Sequence, residues 1–337
     1  MSLPPWLAEQ RAQLLAQRGH AWLLHGPSGL GQFALAMELA RAWLCEAPVA
    51  DGACGHCTSC HAIDVNAHAD LAVLMPETEM LARGWPLPEK AQKDLDEKKR
   101  KPSREIRVDA MRDAVEFAQR TSARGRGKVV LVYPAEQMNA ITANALLKTL
   151  EEPAGDTRFV LATEAAHALL PTIRSRCMAH ALAWPGEAQV LQWLAAQGVV
   201  GDAAAALLRA AGGRPDDALA LAHAGTSPAA WAAFPKAMQR GDVSVVEGWS
   251  PVQTIVALQK LCHDLQVAAA GAAPRYFRPT DLPPAPALPA LARWSKDLMQ
   301  AARTADHPFS VPLMLDALVA QARNALHSGA AKATQPL

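Results

Sequence analysis

Four cysteines and one glycine-rich turn hold the residue types and spacings in this chain that point most directly to chemistry. Cys45, Cys54, Cys57 and Cys60 fall within sixteen residues as C-x8-C-x2-C-x2-C. A C-x2-C turn supplies two thiolates from one short loop, and four sulfur donors fill the tetrahedral shell of Zn²⁺. With no corner left for substrate, the expectation is a structural zinc rather than a catalytic one. His56, His61 and His68 are near enough in sequence to replace one cysteine, but the all-cysteine set is complete without them. Iron–sulfur ligation uses similar spacing, and a loop of free thiols is the remaining alternative. The glycine turn runs Gly26-Pro27-Ser28-Gly29-Leu30-Gly31-Gln32-Phe33. It follows the pattern G-x-x-x-x-G-K-[ST], in which main-chain N–H groups cradle phosphates, a lysine reaches the β- and γ-phosphates and a hydroxyl holds Mg²⁺. Gly26 and Gly31 are in register, but Gln32 stands for the lysine and Phe33 for the hydroxyl. Such a turn, leading into a helix, still attracts an anion, yet ATP hydrolysis here is not expected.

The elements that must position these residues are read from hydrophobic periodicity. Residues 5–20 have helical spacing through Trp6, Leu7, Leu14 and Leu15, and 22–25 read as a short buried strand feeding the glycine turn. A helix over 33–44 leads to the cysteines. Strands follow at 71–74, 128–133 and 158–163, with helices at 108–120 and 140–150 between them. Continuous apolar strands alternating with helices imply a mostly parallel sheet covered on both faces. Beyond about residue 184 the pattern holds helices only, at 187–197, 202–211, 216–224, 229–239, 252–270 and 311–326, with a proline-rich extended connection at 274–289. Trp22, Trp43, Trp193 and Trp231 sit among apolar neighbours and read as core.

Composition narrows the class. The 337 residues are half apolar and 19% charged with a net charge of +1, ordinary globular material with no global electrostatic case for nucleic acid or a membrane surface. No apolar run reaches transmembrane length, and residues 1–11 lack the apolar core of a signal peptide, so the expected location is the cytosol. Six cysteines in such a chain suit a metal cluster better than a disulfide framework. Residues 76–107 are mixed in charge around Lys98-Lys99-Arg100-Lys101. That basic run favours phosphates. The acids interleaved with it, Glu89, Asp94, Asp96 and Glu97, favour a solvated, flexible insertion, and this is the expectation adopted.

Two further motifs complete a pattern: Asn144-Ala145-Leu146-Leu147-Lys148-Thr149-Leu150-Glu151-Glu152-Pro153 and Ser175-Arg176-Cys177. In this order, with the altered glycine turn and the cysteine knuckle, the sequence resembles the AAA+ clamp-loader family of bacterial DNA polymerase III. The resemblance covers the first half firmly. In the helical half it rests on layout and on 308–326, which resembles the last collar helix. It implies an α/β AAA+ P-loop NTPase-like core over 1–184, with a mostly parallel sheet, a zinc knuckle inserted at 45–60 and the charged insertion at 76–107. An all-helical lid over 185–226 and an all-helical collar or oligomerisation domain over 227–337 would follow.

The family also implies a division of labour. Motor subunits of the tau and gamma kind bind ATP at subunit boundaries, and the neighbour completes each site with the arginine of the Ser-Arg-Cys motif, here Arg176. A guanidinium beside the γ-phosphate stabilises the charge that spreads over its oxygens in the transition state. Arg174 is near but does not match the motif. The departures point to a non-motor member of the delta-prime kind. Pro134 and Ala135 stand where metal-binding carboxylates are expected, and Glu136 lies too far along. Asp216 replaces a second sensor arginine, with Arg214 two residues away, and Thr163 holds the first sensor position with a structural role. The implied function is a non-hydrolysing subunit of a heteropentamer with tau/gamma-like motor and delta-like subunits, helping to load the sliding clamp onto primer–template DNA during replication. On this reading the subunit carries no ATP of its own and no polymerase site, although the assembled holoenzyme is a nucleotidyltransferase. The competing expectations are an active motor ATPase with an unusual nucleotide site, and a stand-alone zinc-binding DNA adaptor.

Overall fold

The computed structural model describes residues 3–305 and 310–328. Pro308 of the resembling collar segment and residues 329–337 lie outside the described residues. The chain forms two compact units, Met1–Gln189 and Val190–Leu337. Along the first run α1 (Pro5–Leu15), β1 (Ala21–His25), α2 (Gln32–Leu44), α3 (Thr58–Asp64), β2 (Leu71–Leu74), α4 (Glu77–Ala82), α5 (Glu89–Asp96), α6 (Val108–Gln119), β3 (Lys128–Val132), α7 (Ala140–Glu151), β4 (Thr157–Thr163), α8 (Pro171–Arg174) and β5 (Met178–Ala181). The five strands make one parallel sheet in the order β2-β3-β4-β1-β5. Parallel strands need crossover helices that cover both faces, so an inner strand is apolar on both sides. All five residues of β3 are buried. One face packs Leu23, Val130, Val132, Phe159 and Leu161 against Met111, Leu146 and Leu150 of α6 and α7. On α2, Leu35, Ala36, Leu39 and Ala40 are fully buried.

The predicted strands and helices are present, with informative differences. The first helix stops at Leu15 rather than 20, because the chain must straighten to enter β1. β5 has no counterpart among the predicted strands: most of its residues are exposed, so it carries no apolar run. Its place comes from main-chain pairing with β1 and from Gln10 of α1, whose Oε1 accepts from the Ala183 N–H at 2.9 Å and lies 3.0 Å from His180 Nε2.

The segment 76–107 is largely exposed, as expected of a solvated insertion, but it has internal order. It contains α4 and α5 and is organised around one buried carboxylate. Glu77 accepts two hydrogen bonds from Arg100, at 2.5 and 2.8 Å, and one from the Ser103 N–H at 2.8 Å. Arg107 adds an ion pair at 3.3 Å. Arg100, a member of the basic run, therefore spends its charge inside the segment.

The second unit contains α9 (Glu187–Ala196), which begins just before it, then α10 (Gly201–Ala210), α11 (Pro215–His223), α12 (Pro228–Arg240), α13 (Pro251–Ala269), α14 (Leu288–Thr304) and α15 (Val311–His327). One apolar cluster runs through it from Ala210 to Leu326. α14 is absent from the predicted helices. It starts inside the proline-rich stretch, with Pro289 in its first turn, where the missing N–H breaks no helical bond. It buries Ala290, Leu291, Trp294 and Leu298 at helical spacing. Asp264 of α13 is fully buried and accepts the N–H groups of Arg275, Tyr276 and Phe277 at 2.9, 2.7 and 2.8 Å, which pins the start of that stretch. No helix among the described residues is long and apolar enough to cross a membrane.

The Arg100 hydrogen bond is the main reason the Glu77 carboxyl titrates below its usual range. Burial opposes it, and the Ser103 N–H and the Arg107 and Arg100 charges reinforce it. Because the folded value is depressed, the stabilisation is complete above the unfolded carboxylate's value of about 4.3 and is lost as pH falls through the folded value. Glu77→Gln should cost about 2 kcal/mol at neutral pH. In chemical denaturation measured across pH, the variant and parent curves should converge as the pH drops below about 4.

Candidate functional site

The glycine turn joins the carboxyl end of β1 to the first residue of α2, and Gly31 caps that helix in the left-handed region at φ 92°. A side chain there would be strained, and its Cβ would come within 2.6 Å of Leu7 Cδ1 on α1. Gln32 is 2% exposed and turns back into the turn. Its Nε2 donates to the Gly26 and Pro27 carbonyls at 2.8 and 2.7 Å. A lysine at this position would extend a charge to a phosphate; the glutamine amide is consumed by the loop itself. Phe33 lies against Tyr133, with ring centroids 5.2 Å apart, and Arg83 of the charged segment lies over both rings at 4.5 and 4.8 Å. Arg83 also donates to the Tyr133 hydroxyl at 3.2 Å and pairs with Glu79 at 3.1 Å. Tyr133 donates to Glu164 at 3.0 Å, and burial, then the Glu164 charge, raise its pKa. The position expected to hold Mg²⁺ is thus part of an aromatic and cationic stack.

The other positions singled out in the sequence are placed as follows. Pro134 and Ala135 follow β3. Glu136 accepts from Thr163 Oγ1 at 2.6 Å and from the Glu164 N–H at 3.1 Å, so the first sensor position ties the end of β4 to the turn after β3. Asp216 lies in the first turn of α11, where an acid complements the helix dipole. Arg214 donates to the Ala211 carbonyl at 2.9 Å and pairs with Asp217 at 2.9 Å.

The four cysteine sulfurs converge. Cys45 ends α2, Cys57 caps α3, Cys60 lies in α3 and Cys54 lies in the loop between the two helices. All four Sγ atoms lie within 4.8 Å of one another. Cys45 is 3.8 Å from both Cys57 and Cys60. Tetrahedral Zn–S bonds of about 2.3 Å require sulfur–sulfur edges of about 3.8 Å, so the group fits zinc. The Cys54 N–H points at Cys45 Sγ from 3.3 Å and the Cys60 N–H at Cys57 Sγ from 3.4 Å. Burial pushes the Cys57 thiol up, but the Cys60 and Glu46 N–H groups outweigh it and bring the value to about 6. Cys60 is pushed to about 12, chiefly by burial. His56, His61 and His68 are not in the cluster. Instead His56 Nδ1 bonds the Cys54 carbonyl at 2.9 Å, and His68 Nδ1 accepts the Asp70 N–H at 3.0 Å.

Arg176 follows α8. Its Nε donates to Glu151 Oε1 at 2.7 Å, Nη2 also bonds that oxygen, and Nη1 donates to the Thr172 carbonyl at 2.9 Å. The side chain is 30% exposed, whereas Arg174 is exposed. Cys177 packs against the sheet core, and burial pushes its thiol to about 12, which leaves it unreactive. Sequence reasoning singles out Arg176 but misses its partner. Glu151 belongs to a quoted motif, yet nothing local pairs it with a residue 25 positions away.

The sheet order, the glycine turn between β1 and α2, and the helical second unit define an AAA+ module with an inserted four-cysteine knuckle. The family described as DNA polymerase III, delta subunit, matches residues 10–185, more than half of the chain. The DNA polymerase III subunit delta-prime of Pseudomonas aeruginosa is 43% identical over 193 residues, 57% of this chain and 52% of that protein. The delta-prime subunit of Escherichia coli is 37% identical over 223 residues, 64% of this chain and 60% of its own length. The DNA polymerase III subunit tau of Salmonella typhimurium is 32% identical over 159 residues, 47% of this chain and 21% of that protein. The chain belongs to the delta-prime family of DNA polymerase III subunits. It spans about half the length of the curated relatives it matches.

Elemental analysis of the purified chain should find about one zinc per molecule. Co²⁺ substitution should give the intense sulfur-to-metal absorption of a four-thiolate site, and Cys60→Ser should abolish it. A chain that folds fully with all four thiols titratable and no metal would contradict this assignment.

Proposed function

We propose that this chain is the non-hydrolysing, delta-prime-like subunit of a clamp loader. It carries no ATP of its own and supplies Arg176 in trans to the ATP of a neighbouring tau/gamma-like motor subunit. The observation that carries this reading is the contrast between two positions. Gln32 is folded into its own turn by two hydrogen bonds, whereas Arg176 sits at the surface with guanidinium donors to spare. Phe33, Pro134 and Ala135 support the same reading, because none of them binds Mg²⁺ or polarises water. Relatives include both delta-prime and tau subunits, which supports membership of a mixed assembly.

In that assembly, residues 185–226 act as the lid and 227–337 as part of a shared helical collar. Delta-like and motor subunits complete a heteropentamer that loads the sliding clamp onto primer–template DNA in a bacterial cytoplasmic replisome. Cys45, Cys54, Cys57 and Cys60 hold a structural Zn²⁺ that takes no part in hydrolysis. The chain contributes no polymerase or ATPase centre of its own.

Two measurements test the proposal. Arg176→Ala in a reconstituted loader should lower DNA-stimulated ATP turnover and clamp loading by at least tenfold while assembly is retained; arginine fingers are worth about 10³ or more at a single site. The isolated chain should show no saturable ATP binding at millimolar nucleotide. Normal turnover with Arg176→Ala, or tight ATP binding by the chain alone, would overturn the reading.

A further inference from the structure

Arg176 is held by two elements at once. On one edge of the guanidinium, Nε and Nη2 both donate to Glu151 at the last residue of α7. On the other, Nη1 donates to the Thr172 carbonyl of α8. A guanidinium has five N–H donors. Three are used among the described residues, which leaves one on each Nη atom. A planar fork of that kind matches two oxygens of one phosphate.

We infer that Glu151 is the positioning residue of Arg176, fixing its guanidinium before a nucleotide arrives while leaving one N–H on each Nη free for phosphate oxygens. The inference rests on the reading of Arg176 as a trans-acting finger. A free arginine samples many rotamers, and the entropy of ordering it would otherwise be lost in forming the transition state. The ion pair is half exposed. Pairs of that kind add little to folding stability, so a purely structural role is a poor account of the three hydrogen bonds that hold Arg176. The Glu151 charge also offsets one positive charge, so the carboxylate either orients the arginine or competes with phosphate for it. The unused donors favour orientation.

The two roles predict opposite results. In the reconstituted loader, Glu151→Ala should lower kcat for DNA-stimulated ATP hydrolysis by about tenfold or more, as misplacement of a catalytic group does. KM for ATP, assembly and the melting temperature of the chain should change little. Glu151→Gln, which keeps an acceptor for Nε, should recover most of the rate. The neighbouring Glu152→Ala should be silent. Adding Glu151→Ala to Arg176→Ala should cause no further loss, because the two act as one unit. A normal or faster rate for Glu151→Ala, with Arg176→Ala impaired, would overturn this inference and leave the finger reading standing. If Arg176→Ala is itself without effect, both fall.

Discussion

The buried side chain of Gln32 bonds two main-chain carbonyls of its own glycine turn, and that closure sets the geometry between the end of β1 and the start of α2. Its amide donates to Gly26 and Pro27, which ties the turn to the first residue of α2. Leu7 of α1 packs under Gly31, within 2.6 Å of where a Cβ would stand, and the left-handed backbone there favours glycine. β1 and α2 keep their relative placement, and the sheet and its crossover helices depend on that placement.

Side-chain contacts also occupy other positions along the carboxyl ends of the strands. Thr163 and Glu136 bind each other where a nucleotide-sensing pair would meet a phosphate. Phe33, Tyr133 and Arg83 stack where a hydroxyl would hold a metal. Arg83 comes from the charged segment, which the buried Glu77 carboxylate organises through Arg100, Ser103 and Arg107. A segment that is polar in sequence thereby contacts the core through Arg83, and removing a partner of its buried carboxylate would leave an uncompensated charge.

The cysteine cluster draws on the ends of two helices and the loop between them. Cys45 closes α2, Cys57 opens α3, and both are fixed by the backbone geometry of their helix termini. Glu46 accepts from Thr58 and Ser59 at 3.0 Å and pairs with Arg124 at 2.7 Å, which joins the knuckle to the loop before β3. A metal held by the four thiolates would therefore be coupled to the fold of this region.

Much of this is legible in the residues alone. The parallel sheet shows in the continuous apolar runs of β1, β3 and β4, because strands buried on both faces carry a strong hydrophobic signal. The cysteine cluster shows in its spacing, because local turns bring those thiols together. The departure of the glycine turn from the phosphate-binding pattern shows in the identity of Gln32 and Phe33. Only the tertiary structure decided where these side chains turned: Gln32 into its own loop, Phe33 beneath Arg83, and Arg176 onto Glu151. β5 and α14 are silent for related reasons, one being an exposed edge strand placed by main-chain pairing and the other a helix that starts within prolines. Periodicity and spacing report contacts between near neighbours in sequence. Hydrogen bonds and rings that meet across 25 to 100 residues depend on how the chain has packed, and no local pattern encodes them.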